Sequence, residues 1–294
     1  VLKSEISCST IFVFLWSPYF SLISLSSFFT ISISAQDKKV VQYLKVAEDY
    51  YSDSQFDKAL SELEKAEKIQ PRNAEIYWQR TLIYQSMDDN KKAITNLTKV
   101  IELNPKSFKA YFLRGQIYEK ESKFDEAVSD YTKAIKLNPK KAEAYHLRGT
   151  LFGRLTKYKH KAISDLTKAI QLQPDEFKYY ESRGLEYFTQ ENYDSAITDF
   201  TTQIALINKT KFFKDEQQKK MLEFPLEYRG RSFSLKKDFE KALSDYSKLI
   251  EISPKNIRAF SLRSSIYLDL GKSELSLADA MKVQELEKEK QRPN

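Results

Sequence analysis

The chain has 294 residues, 30% of them charged, with only 6 glycines and 8 prolines against 18 tyrosines and 19 phenylalanines. A glycine-poor, Lys/Glu/Ala/Leu-rich composition favours helix, where those side chains lose little rotamer freedom, and the aromatic content excludes a disordered chain. The net charge of +7 comes from 48 basic and 41 acidic residues, mixed without a block of five or six like charges, which argues for a solvated helical surface and against a nucleic-acid partner.

Residues 1–35 differ from the rest. A short start containing Lys3 leads into a stretch with no charge from Cys8 to Gln36, ending at Ile33-Ser34-Ala35, and charges begin at Asp37-Lys38-Lys39. This is the layout of a secretory signal peptide cleaved after Ala35. It predicts export to the periplasm or cell envelope of a bacterium. The run is also long enough to span a bilayer, so an uncleaved anchor over residues 11–34 is the alternative, and membrane contact is expected only in that case. The one cysteine, Cys8, lies in this segment, so disulfides and thiolate metal sites are not expected beyond it.

From residue 36 the sequence repeats. The alanine of the phrase FDKALSELEKA recurs at Ala59, Ala93, Ala127, Ala162, Ala196 and Ala242, in steps of 34, 34, 35, 34 and 46. Proline recurs at Pro71, Pro105, Pro139, Pro174 and Pro254, with Asn208 in the slot between the last two, and glycine at Gly115, Gly149, Gly184 and Gly230. The units fall near 40–73, 74–107, 108–141, 142–176, 177–210, 223–256 and 257–290, with an insertion at about 208–222. Each predicts two antiparallel helices, A and B, with apolar residues at i, i+3, i+4 and i+7. Proline ends helix B, and Gly at position 8 and Ala at position 20 are expected where the two helices cross.

The third unit reads AYFLRGQIYEKESKFDEAVSDYTKAIKLNP from Ala110 to Pro139. Its Tyr111, Gly115, Tyr118, Ala127, Tyr131, Ala134 and Pro139 resemble the tetratricopeptide repeat. RNA-reading repeats of 35 residues lack this 34-residue Gly/Ala/Pro phase. The resemblance implies an all-α fold, an α-solenoid of about seven helical hairpins in a right-handed superhelix, with a concave groove along the A helices.

Features present in every unit belong to packing. Position 7 is Arg80, Arg114, Arg148, Arg183, Arg229 and Arg263; position 23 carries Asp130, Asp165, Asp199, Asp245 and Asp279, with Asn96 in the second unit. The arginine row could suggest an anion channel, but pairing across each hairpin accounts for it as scaffold. The family's groove lies near positions 2, 5, 9 and 12 of the A helices. Those positions nominate Leu44, Tyr51, Trp78, Leu82, Phe112, Gln116, Glu119, His146, Glu181, Phe188 and Arg231 as partner-binding residues. Aromatics there suit an extended peptide or a helix with apolar anchors, or simply fill a tight superhelix. No Asn stands on an A helix, so the carboxylate clamp of the chaperone-binding members is not supported.

The insertion, within Asn208 to Phe224, adds Phe212, Phe213 and Met221 as candidates. It either projects onto a binding face or lengthens helix B and its loop with the aromatics tucked back. One extra residue near His160 loosens an A-to-B turn, and the atypical last unit reads as a solvent-facing cap. The two histidines, His146 and His160, have no metal-ligand spacing, no nucleophile elbow and no phosphate loop around them, so no catalytic residue, metal or cofactor is expected. The function that follows is a non-enzymatic scaffold or adaptor presenting its groove to a protein or peptide, with no small-molecule substrate. The alternative is an assembly subunit of an envelope complex docking through its end repeats or the insertion.

Overall fold

The computed structural model describes residues 35–209 and 215–291; the expected signal or anchor segment up to Ser34, and Phe212 and Phe213, lie outside them. Among the described residues fourteen α-helices pair into seven antiparallel hairpins, and no helix is long and apolar enough to cross a membrane. The pairs are α1 (Ala35–Ser52) with α2 (Phe56–Ile69), α3 (Ala74–Ser86) with α4 (Asn90–Leu103), α5 (Phe108–Lys120) with α6 (Phe124–Leu137), and α7 (Ala142–Arg154) with α8 (Lys159–Leu172). They continue with α9 (Phe177–Thr189) and α10 (Tyr193–Lys209), α11 (Asp215–Leu235) and α12 (Phe239–Ile252), α13 (Ile257–Asp269) and α14 (Ser273–Gln291). Each B helix also packs on the next A helix, giving an all-α solenoid.

Local chemistry sets the ends. Asn73, Ser107, Glu176 and Asn256 cap A helices by accepting a backbone N–H, as Asp89 and Asp238 do for B helices, which satisfies donors the first turn leaves free. At the other end, the residue before each recurring proline leaves helical geometry, with φ of −130° at Gln70, −135° at Asn104, −136° at Asn138, −140° at Gln173 and −137° at Ser253. Proline's ring excludes helical geometry at the residue before it. Where Asn208 replaces proline, α10 runs on to Lys209. The insertion therefore lengthens α10 and, to a greater degree, the start of α11, an A helix. Met221 packs beside Ile207, Leu222 and Leu249, and Gln218 Nε2 donates to the Ile207 carbonyl at 3.3 Å.

The A-to-B turn places one residue in the left-handed region at the fifteenth position: Ser54, Asp88, Ser122, Glu191, Lys237 and Gly271, with φ between 59° and 68°. The fourth unit differs. Its extra residue converts the turn into a 3-10 segment, Thr156–Tyr158, with no positive φ.

Position 8 lies at the helix crossing, as expected, with no room for a larger side chain. The nearest neighbour of the glycine is the residue at position 24 rather than the alanine at position 20. A Cβ built on Gly230 would lie 2.7 Å from Tyr246 Cε1, and one on Gly115 2.8 Å from Tyr131 Cε1. Both rings are fully enclosed, so the ring and not the small residue demands the glycine. In the last unit Ser264 Oγ, at position 8, donates to the carbonyl of Ser276, at position 20, at 2.9 Å.

The arginines bind three helices together. Arg114 Nε and Nη2 donate to Asp130 Oδ2 and Oδ1 at 2.7 and 2.9 Å, and its Nη1 reaches back to Thr98 Oγ1 on the preceding B helix at 2.9 Å. The same bonds join Arg148 to Asp165 and Thr132, Arg183 to Asp199 and Thr167, Arg229 to Asp245 and Thr201, and Arg263 to Asp279 and Ser247. Rings at positions 4 and 11 flank the guanidinium, as Tyr111 and Tyr118 do at 5.8 and 5.7 Å from Arg114. Arg80 is the exception. Asn96 offers it no charge and donates to its own helix at the Lys92 carbonyl, so Arg80 turns to Glu67 of the preceding unit at 2.6 Å.

Removing one partner of such a pair strands a buried charge, whereas replacing both with apolar residues does not. Asp130→Ala is expected to cost about 3 kcal/mol or more at the third hairpin, and Arg114→Met with Asp130→Leu much less. Amide exchange of α5 and α6 in the two variants measures the difference.

Candidate functional site

The inner face of the stack is set by which helices crowd together. Successive A helices approach one another, α1 with α3, α7 with α9 and α9 with α11, and no two B helices do so to the same degree. The A helices thus line the concave side, where the nominated residues stand on several neighbouring turns.

Most of these residues are engaged by other residues of the stack. Glu119 accepts from Tyr131 Oη at 3.0 Å and from Arg154 Nη1 at 3.2 Å. His146 Nε2 and Ser182 Oγ lie 2.8 Å apart, and the imidazole packs 4.8 Å from the Tyr179 ring. Glu181 accepts from Gln203 Nε2 at 2.6 Å. Phe188 meets Tyr228 edge-on at 5.3 Å, and the Arg231 guanidinium lies 4.8 Å from both rings. Leu44 packs into the first core cluster and Phe112 against Tyr131 and Leu151; Gln116 stands half-buried on α5. Met221 is a packing residue too.

The exception lies between α1 and α3. Tyr51, Trp78 and Leu82 line a cleft of about 290 Å³ together with Glu48, Glu75, Gln79 and Ile83. Tyr51 Oη is tethered to Ser86 Oγ at 3.0 Å, which fixes the phenol on one wall. The polar rim is rich in acceptors. Burial raises the Glu75 carboxyl above its usual value, the nearby Glu48 adds to the rise, and a hydrogen bond from Gln79 offsets part of it. Gln79 Oε1 is buried without a hydrogen-bond partner, a state that favours an incoming donor. Sequence reasoning singled out the three apolar walls and passed over Glu48 and Glu75. Both occupy groove positions, 9 and 2, and that register was the available signal.

The Ser182–His146 contact resembles two members of a nucleophilic triad, and its environment weakens that resemblance. Burial pushes the His146 imidazole down to about 4, against a smaller upward pull from Glu143. A group with so low a pKa is a poor general base at neutral pH. Both residues also lie mid-helix, where backbone N–H groups are committed to the helical ladder and cannot serve an oxyanion. Among the described residues no group of three or more His, Cys, Asp or Glu side chains is placed to hold a metal ion.

Models of the tetratricopeptide repeat match residues 108–141 and residues 74–107, 142–176 and 229–256. No curated protein matches the chain significantly. Among solved structures, MamA aligns over 58% of this chain and 93% of its own at 25% identity, with a TM-score of 0.55. YrrB, described as a TPR protein with an unusual peptide-binding site, aligns over 67% and 95% at 20% identity and 0.56. A tetratricopeptide repeat protein from Parabacteroides merdae aligns over 85% and 93% at 17% identity and 0.58.

His146 gives a test of the inner face. Its folded pKa of about 4 lies below the unfolded value of 6.5, so between those values the unfolded chain binds the extra proton and stability falls as pH falls. The loss by pH 4 is on the order of 2–3 kcal/mol. The His146 ring is expected to stay neutral at pH 5 in a histidine NMR titration. His146→Gln should remove this part of the acid sensitivity seen in thermal melts.

Proposed function

Because the chain is a tetratricopeptide-repeat protein, we propose that it is a non-enzymatic scaffold of the bacterial cell envelope that holds a peptide segment of a partner in the cleft between α1 and α3. The observation that carries this reading is the cleft itself: aromatic and aliphatic walls from Tyr51, Trp78 and Leu82 around an opening of about 290 Å³. Aromatic walls in a partly desolvated pocket make good binding anchors, because they supply area at low conformational cost. The acceptor-rich rim supports a cationic ligand. Glu48, Glu75 and the free Gln79 Oε1 suit a segment bearing a Lys, an Arg or an N-terminal ammonium beside an apolar side chain. A solved relative in fold, YrrB, is described as having a peptide-binding site, which supports the class of ligand. The envelope location rests on the uncharged run from Cys8 to Gln36. An assembly role through the end repeats is the second reading, favoured by the apolar residues exposed on α14.

Binding of a fluorescent peptide panel to the chain from Gln36 tests the cleft. Peptides with a cation next to Leu or Phe are expected to bind above those with Glu in place of the cation. Trp78→Ala should weaken them by about thirtyfold, the 2 kcal/mol of a buried anchor, and Glu75→Gln should erase the charge preference. Equal binding of both peptide classes to wild type and Trp78→Ala protein would sink the reading. Separately, recovery from the cytosol with residues 1–35 intact would overturn the location.

A further inference from the structure

Among the described residues, the outer faces of the first and last hairpins carry opposite chemistry. Within the stack, each A helix turns positions 3, 6 and 10 toward the preceding unit, and these are apolar in α13: Ala259, Leu262 and Ile266. In α1 the same positions are Gln42, Lys45 and Asp49, all exposed. That end is polar, as a terminal repeat requires. At the other end the expected cap fails. Position 21 of each B helix packs on the following unit, as Leu243 does with Leu262 and Ile266. Position 25 supplies the hydroxyl that receives the following arginine, as Ser247 does for Arg263. In α14 these positions are Leu277 and Met281, each 62% exposed. The last unit thus loses a hydroxyl and gains a thioether on the surface that should be most polar.

We propose that this end pairs with the same end of a second copy, α14 against α14 in antiparallel register about a two-fold axis. A head-to-tail contact would press Leu277 and Met281 onto Gln42, Lys45 and Asp49, leaving charged groups desolvated and unpaired. The only apolar end face among the described residues is therefore complementary to itself, which is the condition for an isologous dimer. With the axis beside the Leu277–Met281 turn, Leu277 meets the copy's Met281 on both sides. The same register carries Glu285 to the first turn of the opposing α14, the favourable end of its dipole. It sets Lys288 beside the exposed Asp269 at the end of the opposing α13. The contact extends the geometry of the internal stack by one layer and is small, so association should be weak and fast. It is independent of the groove.

Sedimentation equilibrium of the chain from Gln36, which keeps every core cluster, tests this across a concentration series into the high micromolar range. A monomer–dimer equilibrium is expected. Leu277→Glu with Met281→Glu should weaken it by about tenfold or more, with circular dichroism unchanged because both side chains are exposed. Lys45→Glu, at the far end, should leave it as it is. Lys288→Glu should weaken the dimer and Asp269→Lys in the same chain should restore it. A protein monomeric throughout the range, or a dimer that survives the two carboxylates, overturns the proposal. Failure of the charge swap to restore association overturns the antiparallel register.

Discussion

The bidentate pair between the seventh and twenty-third positions is the constraint on which the stack depends. Its guanidinium is planar and offers donors in a fixed fork, so it sets the rotation of helix A against helix B and not merely their proximity. The third arm reaches a Thr or Ser on the preceding B helix. One side chain therefore fixes both the fold of a hairpin and its phase against its neighbour. Apolar packing alone would tolerate sliding, because Leu, Ile and Ala surfaces are non-directional. The rings at positions 4 and 11 complete the arrangement by covering the faces of the guanidinium.

That phase determines what the concave face can do. Once consecutive A helices are held close, their inner side chains come within reach of one another, and polar residues there satisfy each other across units. Glu119 with Arg154, and His146 with Ser182, are the result. Such bonds stiffen the middle of the groove and leave its groups less available to a ligand. Between α1 and α3 the residues are large and mostly apolar, with acceptors at the rim, so self-satisfaction is incomplete. Gln79 bonds Glu75 and Tyr51 bonds Ser86, yet Gln79 Oε1 stays without a partner, and the apolar walls have no polar group to offer it.

How much of this is legible in the sequence follows from the same physics. The period, the helix ends at proline and the Arg–Asp pairing are visible because each unit repeats them and opposite charges at a fixed spacing identify one another. The Thr or Ser at position 25 is invisible by that logic, since a hydroxyl on a helix surface reads as solvent-facing until the next unit is stacked on it. Arg80 is misassigned for the converse reason: the pattern supplies a partner position, but Asn96 lacks the charge. Groove assignments suffer most. Leu44 and Phe112 sit at register positions that point inward, yet whether inward means ligand or core depends on the spacing of adjacent A helices, a tertiary quantity. Gly115 and Gly230 are legible as the helix crossing, while the Tyr131 and Tyr246 rings that close on them emerge only from the packing.

The end units carry information because they are released from the rule that governs the others. From the second unit to the sixth, position 25 offers a hydroxyl to the following arginine, and position 3 of the following A helix packs beneath it. At α1 the release is used to become polar, the response that water demands. At α14 it is used to place Met281 where a hydroxyl would have cost nothing. Solvation gives no reason for that substitution, whereas contact with another apolar face does. The cleft lies in the first two units and this face in the seventh, so a peptide held at one leaves the other open. Binding and association can then be altered separately by changes at Trp78 and at Leu277.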